Sequence, residues 1–205
     1  MVGVPNRDRQ AERREATRRE ILAAAWEVAR EDGLGGLTLR AVATRVGMRP
    51  PSLYSHFASK NAICDAMFEQ AWSEFLELAI ATEQHLPEAP RPALKAIAEC
   101  FFDFAVSDLA RYQLMNLRIL PDFQPSGAAY QPAAQTLDRL GVLLRGLGVR
   151  EDAGADLFTA LMSGLADQQL ANDPGGERWR RLLPRAIDMY ADEMGLPGPR
   201  DRSTR

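Results

Sequence analysis

The sequence predicts an all-α protein of about nine helices: an N-terminal three-helix unit containing a helix-turn-helix, followed by a larger helical domain. Three observations carry this. Apolar residues recur at helical spacing from Ile21 to Tyr190. The stretch from Thr38 to Lys60 breaks that spacing at Gly47 and resumes it at once. The strongest interruptions are loops bearing Pro and Gly, above all Leu86-Pro87-Glu88-Ala89-Pro90-Arg91-Pro92. With 205 residues, 46% of them hydrophobic, the chain can build a substantial core as one large domain or two smaller ones.

Residues 1–11 are polar and punctuated by Pro5, and they read as a disordered basic arm with Arg7 and Arg9. From Arg13 to Asp32, Ile21, Leu22, Ala25, Trp26, Val28 and Ala29 form one helical stripe, which Gly33, Gly35 and Gly36 end. Thr38 is a good N-cap for the second helix, with Leu39, Val42, Ala43 and Val46 as its apolar face. Gly47 permits the left-handed turn that closes it, and Ala43 is small enough for a close helix crossing. Pro51 suits the first turn of the third helix, whose apolar pattern is Met48, Leu53 and Phe57. Ser59 caps a fourth helix that starts at Lys60 and runs through Ile63, Met67, Trp72 and Phe75 toward His85. The expected division is a helix-turn-helix domain over 12–60, a helical domain over 61–196 and a disordered tail over 197–205.

Within the larger domain, Leu94, Ile97, Phe101, Phe102 and Phe104 make a helix apolar on most of its circumference, and such a helix is buried on several sides. A short helix over 109–118, a loop over 120–127 and a helix over 128–147 follow. The last pair, 151–171 and 177–194, is separated by Asn172-Asp173-Pro174-Gly175-Gly176.

The outer side of the helix-turn-helix carries Arg40, Arg45, Arg49, Ser52, Tyr54, Ser55, His56 and Lys60, donors of the kind that meet phosphates and base edges. No acidic residue occurs from Leu34 to Ala62. Residues 1–60 hold 11 Lys and Arg against 7 Asp and Glu, whereas the remainder holds 14 against 21. The basic excess coincides with the helix-turn-helix, which therefore reads as a reader of double-stranded DNA. Catalysis has little support: there are two histidines and no nucleophile motif, phosphate loop or HExxH pair, so no catalytic residue, cofactor or metal is assigned. Cys64 and Cys100 lie in apolar helical patterns without metal-ligand spacing; they read as inert core, with a redox pair as the alternative. Neither a signal peptide nor a membrane-length apolar run is evident, which implies a cytoplasmic protein without a membrane partner.

Thr38, Val42-Ala43, Gly47, Leu53-Tyr54, His56-Phe57 and Ser59-Lys60 stand at the spacing of the tetracycline-repressor (TetR) family of bacterial transcription regulators, which the first third of the chain closely resembles. By that resemblance Thr38, Tyr54, His56 and Lys60 grip phosphates, while Arg40, Pro51 and Ser52 approach bases. Arg49 and Ser55 are added here from their exposure on the same helix. Relatives also use the start of the first helix near the backbone, where this chain has Arg13, Arg14, Arg18 and Arg19. Pro50 departs from the polar residue many relatives carry, and Asn61 from a frequent carboxylate.

The resemblance further implies a small-molecule effector that shifts the fourth helix and changes the spacing of two readers in a homodimer. Trp72, Phe75, Phe101, Phe104, Tyr112, Met115, Phe123, Tyr130, Phe158 and Met162, with the polar Gln168, are the candidate lining of such a pocket, whose effector would be bulky and largely hydrophobic. The last two helices are the implied dimer interface, through Leu157, Leu161, Gly164, Trp179, Leu182, Leu183, Ala186, Met189 and Tyr190. The alternatives are an intrachain role for those residues and an effector-independent DNA organiser with a packed core.

Overall fold

The computed structural model describes residues 6–198. Among these residues it is all-helical, with α1 Asn6–Gly36, α2 Leu39–Val46, α3 Pro50–Tyr54, α4 Lys60–Glu83, α5 Pro90–Val106, α6 Leu109–Asn116, α7 Gln131–Gly146, α8 Gly154–Asn172 and α9 Leu183–Glu193. The last is preceded by a 3-10 turn, Arg180–Leu182. The expected all-α class and helix number hold among these residues.

Two helix boundaries differ most from expectation. Residues 6–11, read as part of a disordered arm, belong to α1; residues 1–5 lie outside the described residues, as do 199–205 of the expected tail. The helix expected from Glu177 starts instead at Leu183, with Pro184 in its first turn, where the missing N–H costs nothing.

The chain divides into two compact units. The first runs through Ala71 and takes in Ala110–Tyr130, so it reaches past the boundary expected at Lys60. Its core joins Ile21, Ala25 and Val28 of α1, Val42 and Ala43 of α2, Leu53, Phe57, Ile63 and Met67. In the second unit, Trp72–Leu109 with Gln131 onward, α5 packs on α8 and α9 around Leu94, Ala98, Phe102, Phe158, Met162 and Ile187.

The local punctuation of the helix-turn-helix follows from its residue types. Ala41 N donates to Thr38 Oγ1 at 3.0 Å, which closes the N-terminus of α2. At the other end Gly47 has φ 75°. Met48 N then donates to Ala43 O at 2.9 Å and Gly47 N to Thr44 O at 3.2 Å, so the orphan carbonyls of the last turn are satisfied. Ala62 N donates to Ser59 Oγ at 3.1 Å and starts α4. The helical assignment of α1 is broken at Gly33, whose φ 72° and ψ 167° no other residue type adopts readily.

Candidate nucleic-acid interface

The side chains that hold the reader together are separate from those that project from it. Arg45 of α2 donates to Glu31 at 2.8 Å and to Glu27 at 3.3 Å, both on α1. The hydrogen bond from Arg45 holds the Glu31 carboxyl below the usual carboxylate range and raises the guanidinium in turn. Arg45, expected on the outer side, is thus bound to α1. Arg18 Nη1 donates to His56 O at 2.6 Å while its guanidinium lies 4.1 Å from the centroid of the Phe57 ring. Arg14 Nη2 donates to Ser55 O at 3.3 Å. Two cations from α1 therefore close the carbonyl end of α3, where the helix dipole favours positive charge. The sequence offered those arginines as possible phosphate contacts. Their bracing role escaped it because the partners lie 38 and 41 residues away.

Thr38, Arg40, Arg49, Pro50, Pro51, Ser52, Tyr54 and Ser55 remain exposed, with Tyr54 at 53%. His56 and Lys60 are half-buried. The structure brings all nine candidate DNA-binding residues into the first unit, on α2, α3, the turns beside them and the first residue of α4. Thr38 uses a lone pair to cap α2, so its hydroxyl proton stays available to a phosphate oxygen. Lys60 Nζ donates to Leu34 O at 3.3 Å and has two further protons to offer. Ser55 Oγ is occupied on Ser52 O at 2.7 Å, which weakens its case as a contact. Nδ1 of His56 is buried without a hydrogen-bond partner among the described residues, leaving Nε2 as the nitrogen able to donate outward. A run of exposed donors without an acid of its own, on a braced scaffold, can take an anionic polymer without losing geometry, although Asp32 of α1 lies beside Thr38 and Arg40.

The expected pocket residues separate. Met115, Phe123 and Tyr130 line a cavity of about 380 Å³ in the first unit, together with Asn116, a polar residue the sequence places near them, and with Phe68 and the 117–120 segment, which no sequence signal marked. Tyr112 is buried in the same unit but does not line it. Trp72, Phe75, Phe101 and Phe104 form a ring cluster in the second unit, with Phe75 centroids 5.8 Å from Phe101 and 5.0 Å from Phe104. Phe158 and Met162 are buried core of that unit. Gln168 is exposed and accepts from Asn172 Nδ2 at 2.9 Å, so it cannot anchor a buried ligand. Its neighbour Gln169 is the buried one. Gln169 Oε1 accepts from Trp179 N at 2.9 Å and Arg180 N at 3.3 Å, while Nε2 donates to Asp173 O and to Gly176 O at 3.2 Å.

On α8, α9 and the segment between them, Leu157, Gly164, Leu182 and Met189 are exposed, and Leu161, Trp179 and Ala186 are half-buried. Leu183 and Tyr190 are corrected: both are buried within the unit. Residues 182, 186 and 189 share the outer face of the helical turn, whereas 183, 187 and 190 share the inner one. Tyr190 OH donates to Gly154 O at 2.8 Å, and its ring meets Phe158 edge-on at 5.3 Å. Both cysteines are free, and burial pushes the Cys64 thiol up to about 11 and Cys100 upward as well, which makes them poor thiolates. No helix among the described residues is long and apolar enough to cross a membrane.

Residues 21–67 match the family model for bacterial regulatory proteins, tetR family. The chain is 28% identical over 190 residues to a class A tetracycline repressor protein of Escherichia coli, covering 85% of this chain and 81% of that one. It superposes on a crystal structure of a tetR-family bacterial regulatory protein from Rhodococcus with TM-score 0.69 at 18% identity, covering 88% of this chain and 98% of that one. A crystal structure of the multidrug binding protein EbrR, complexed with imidazole, is 26% identical with TM-score 0.58, covering 91% and 98%. The matched segment holds α2, α3 and the nine candidate contacts from Thr38 to Lys60, while the braces Arg14 and Arg18 precede it, and the helical likeness extends over most of the chain. The chain thus matches the TetR family of bacterial regulatory proteins over residues 21–67 and is similar over most of its length to a tetracycline repressor.

Proposed function

We propose that this DNA-binding regulator is a homodimeric repressor that occupies operator DNA through α2, α3 and the start of α4, and that a small, largely hydrophobic effector releases it. The observation that carries the reading is the run of exposed donors from Thr38 to Lys60, a segment without an acidic residue, held in place by Arg14, Arg18 and Arg45. Tyr54, His56, Lys60 and Thr38 take phosphates; Arg40, Arg49, Pro51 and Ser52 lie at the bases. Two such readers on successive half-sites about 34 Å apart require a two-fold dimer. Leu157, Leu182 and Met189, exposed on α8, before α9 and on α9, supply an apolar surface for a partner copy.

The cavity beside α6 supports effector control over the packed-core alternative. Its loop is tied to the first turns of α4: Asn61 Nδ2 donates to Asp122 O at 2.9 Å, and Ser126 N and Oγ each donate to Asp65 at 2.7 Å. A ligand that displaces the loop acts directly on the helix that follows the reader. The repressor of Escherichia coli named above and the imidazole-bound EbrR are similar chains that support repression and ligand binding as the class of activity.

The test combines sedimentation with anisotropy of a labelled fragment of the gene's own promoter, followed by a screen of hydrophobic compounds against the protein–DNA complex. A dimer that binds the fragment and lets go on addition of a stabilising compound is the expected result. Tight, specific binding that no stabilising compound disturbs would favour the DNA organiser.

A further inference from the structure

We infer that the cavity beside α6 takes an aromatic carboxylate, with Arg118 as the counter-ion of its acid group; this rests on the effector reading above and names the effector's class. The cavity has a floor and a mouth. Phe68, Leu114 and Met115 are buried and form the floor, while Arg118, Ile119, Gln124 and Tyr130 are exposed around the opening. At about 380 Å³ it sits toward the small end of ligand pockets, which span about 300–1,000 Å³. A ligand of one or two fused rings fits such a volume.

The lining dictates the body of the ligand. Phe68 and Tyr130 are nearly parallel, 15° apart with centroids 6.2 Å from each other, and Phe123 meets Phe68 edge-on at 6.4 Å. That spacing leaves no room for a ring between Phe68 and Tyr130. A planar body therefore lies against the free faces of Tyr130 and Phe123, where offset or edge contact is favourable. Met115 adds a polarisable contact from below.

The charge on the ligand follows from what the lining holds and lacks. Among the described residues Arg118 is the one charged side chain lining the cavity, and no carboxylate lines it. Arg118 has no hydrogen-bond or ion-pair partner among the described residues. Asp65, the acid through which α4 anchors the loop, is committed to Ser126 by two hydrogen bonds. A planar guanidinium can donate two parallel bonds to a carboxylate, a geometry that an ammonium or a neutral amide on the ligand cannot use. The acidic balance of residues 61–205 does not overrule this, because charges beyond about 10 Å are largely screened at ordinary ionic strength. Asn116 Nδ2 donates to Tyr112 O at 3.2 Å, so its carbonyl remains to accept from a hydroxyl on the ligand's rings.

The test is calorimetric titration of the full chain with a panel of arene carboxylates, from benzoate to 2-naphthoate and biphenyl-4-carboxylate, against their primary carboxamides and the corresponding aminomethyl cations. At least one carboxylate binds, its amide binds about tenfold more weakly and its cation not measurably. Arg118→Gln lowers carboxylate affinity about tenfold and leaves the amide unchanged, and Phe123→Ala weakens both. Arg118 is exposed, so its replacement leaves the melting temperature of the free protein in place and the loss is one of binding. Equal binding of acid and amide, preference for the cation, unchanged carboxylate affinity in Arg118→Gln, or failure of the whole panel would each overturn the assignment. Promoter release is measured separately on the same samples. Release by a neutral or cationic compound alone refutes the carboxylate class and keeps the inducible repressor, whereas carboxylate binding without release keeps the site and refutes inducibility.

Discussion

The turn inside the reader and the turn between α8 and α9 are held by opposite strategies. In the reader, Thr38, Gly47 and Ser59 each close one helix end with atoms three to five residues away, and Arg14, Arg18 and Arg45 add long-range braces at its edge. Between α8 and α9, a single buried amide, Gln169, serves two N–H groups and two carbonyls of residues 173–180. Distributed local caps fail in small steps. A hub fails at once, because its loss strands several backbone groups together.

The hub is where this difference should show most strongly. Gln169→Leu keeps the volume and removes every bond, and we expect a loss of about 3 kcal/mol in chemical denaturation, since each stranded buried group costs about 1–3 kcal/mol. Unchanged stability would mean that water replaces the amide and that the hub is no hub. Gly47→Ala comes next. No atom lies within 4 Å of the added methyl, so only the positive φ acts against it, and the expected cost is about 1–2 kcal/mol. Arg18→Ala follows at about 1 kcal/mol, through loss of the bond to His56 O and of the packing on Phe57. If its role is the brace alone, the Arg18 variant should bind promoter DNA more weakly with an unchanged dependence on salt; a flattened salt dependence would make it a phosphate contact as well.

The smallest expected effect is a pH dependence in the second unit. Burial, with a lesser contribution from Glu151, pushes Tyr190 up to about 12 from its usual 10, so the folded state keeps a proton that the unfolded chain releases. The stability this contributes is complete below pH 10 and is lost as pH rises toward 12. Tyr190→Phe should melt slightly lower at pH 8 for want of the bond to Gly154 O, and the gap to the unmodified protein should close above pH 10. A gap that widens there would reverse the assigned direction.

The same contrast explains what could be read from residue order. Caps act over one turn, so Thr38, Gly47 and Ser59 announced the helix ends correctly. The braces could not be read, since nothing near Arg14 or Arg18 marks Ser55 and His56 as partners. On α8, Gln168 and Gln169 are neighbours in the sequence, and only the packing of α5 and α9 decides that the face bearing Gln169 turns inward. Leu183 and Tyr190 failed for the same reason: the apolar stripe of α9 is wide enough to cover a core and a free surface at once. Likewise the aromatic residues gathered as one pocket belong to two units, and the cavity uses loop residues with no periodic signature.

The most direct test of the reader is anisotropy of labelled promoter and scrambled DNA between about 50 and 200 mM salt, for the full chain and for Lys60→Ala and Arg40→Ala. We predict that Lys60→Ala weakens binding to both DNAs alike and lowers the salt slope by about 1, whereas Arg40→Ala keeps the slope and narrows the preference for promoter DNA, by about 1–3 kcal/mol for each base it no longer reads. Sequence-selective losses from Lys60→Ala, or an Arg40→Ala protein that discriminates as well as the original, would contradict the division of the surface into phosphate and base contacts.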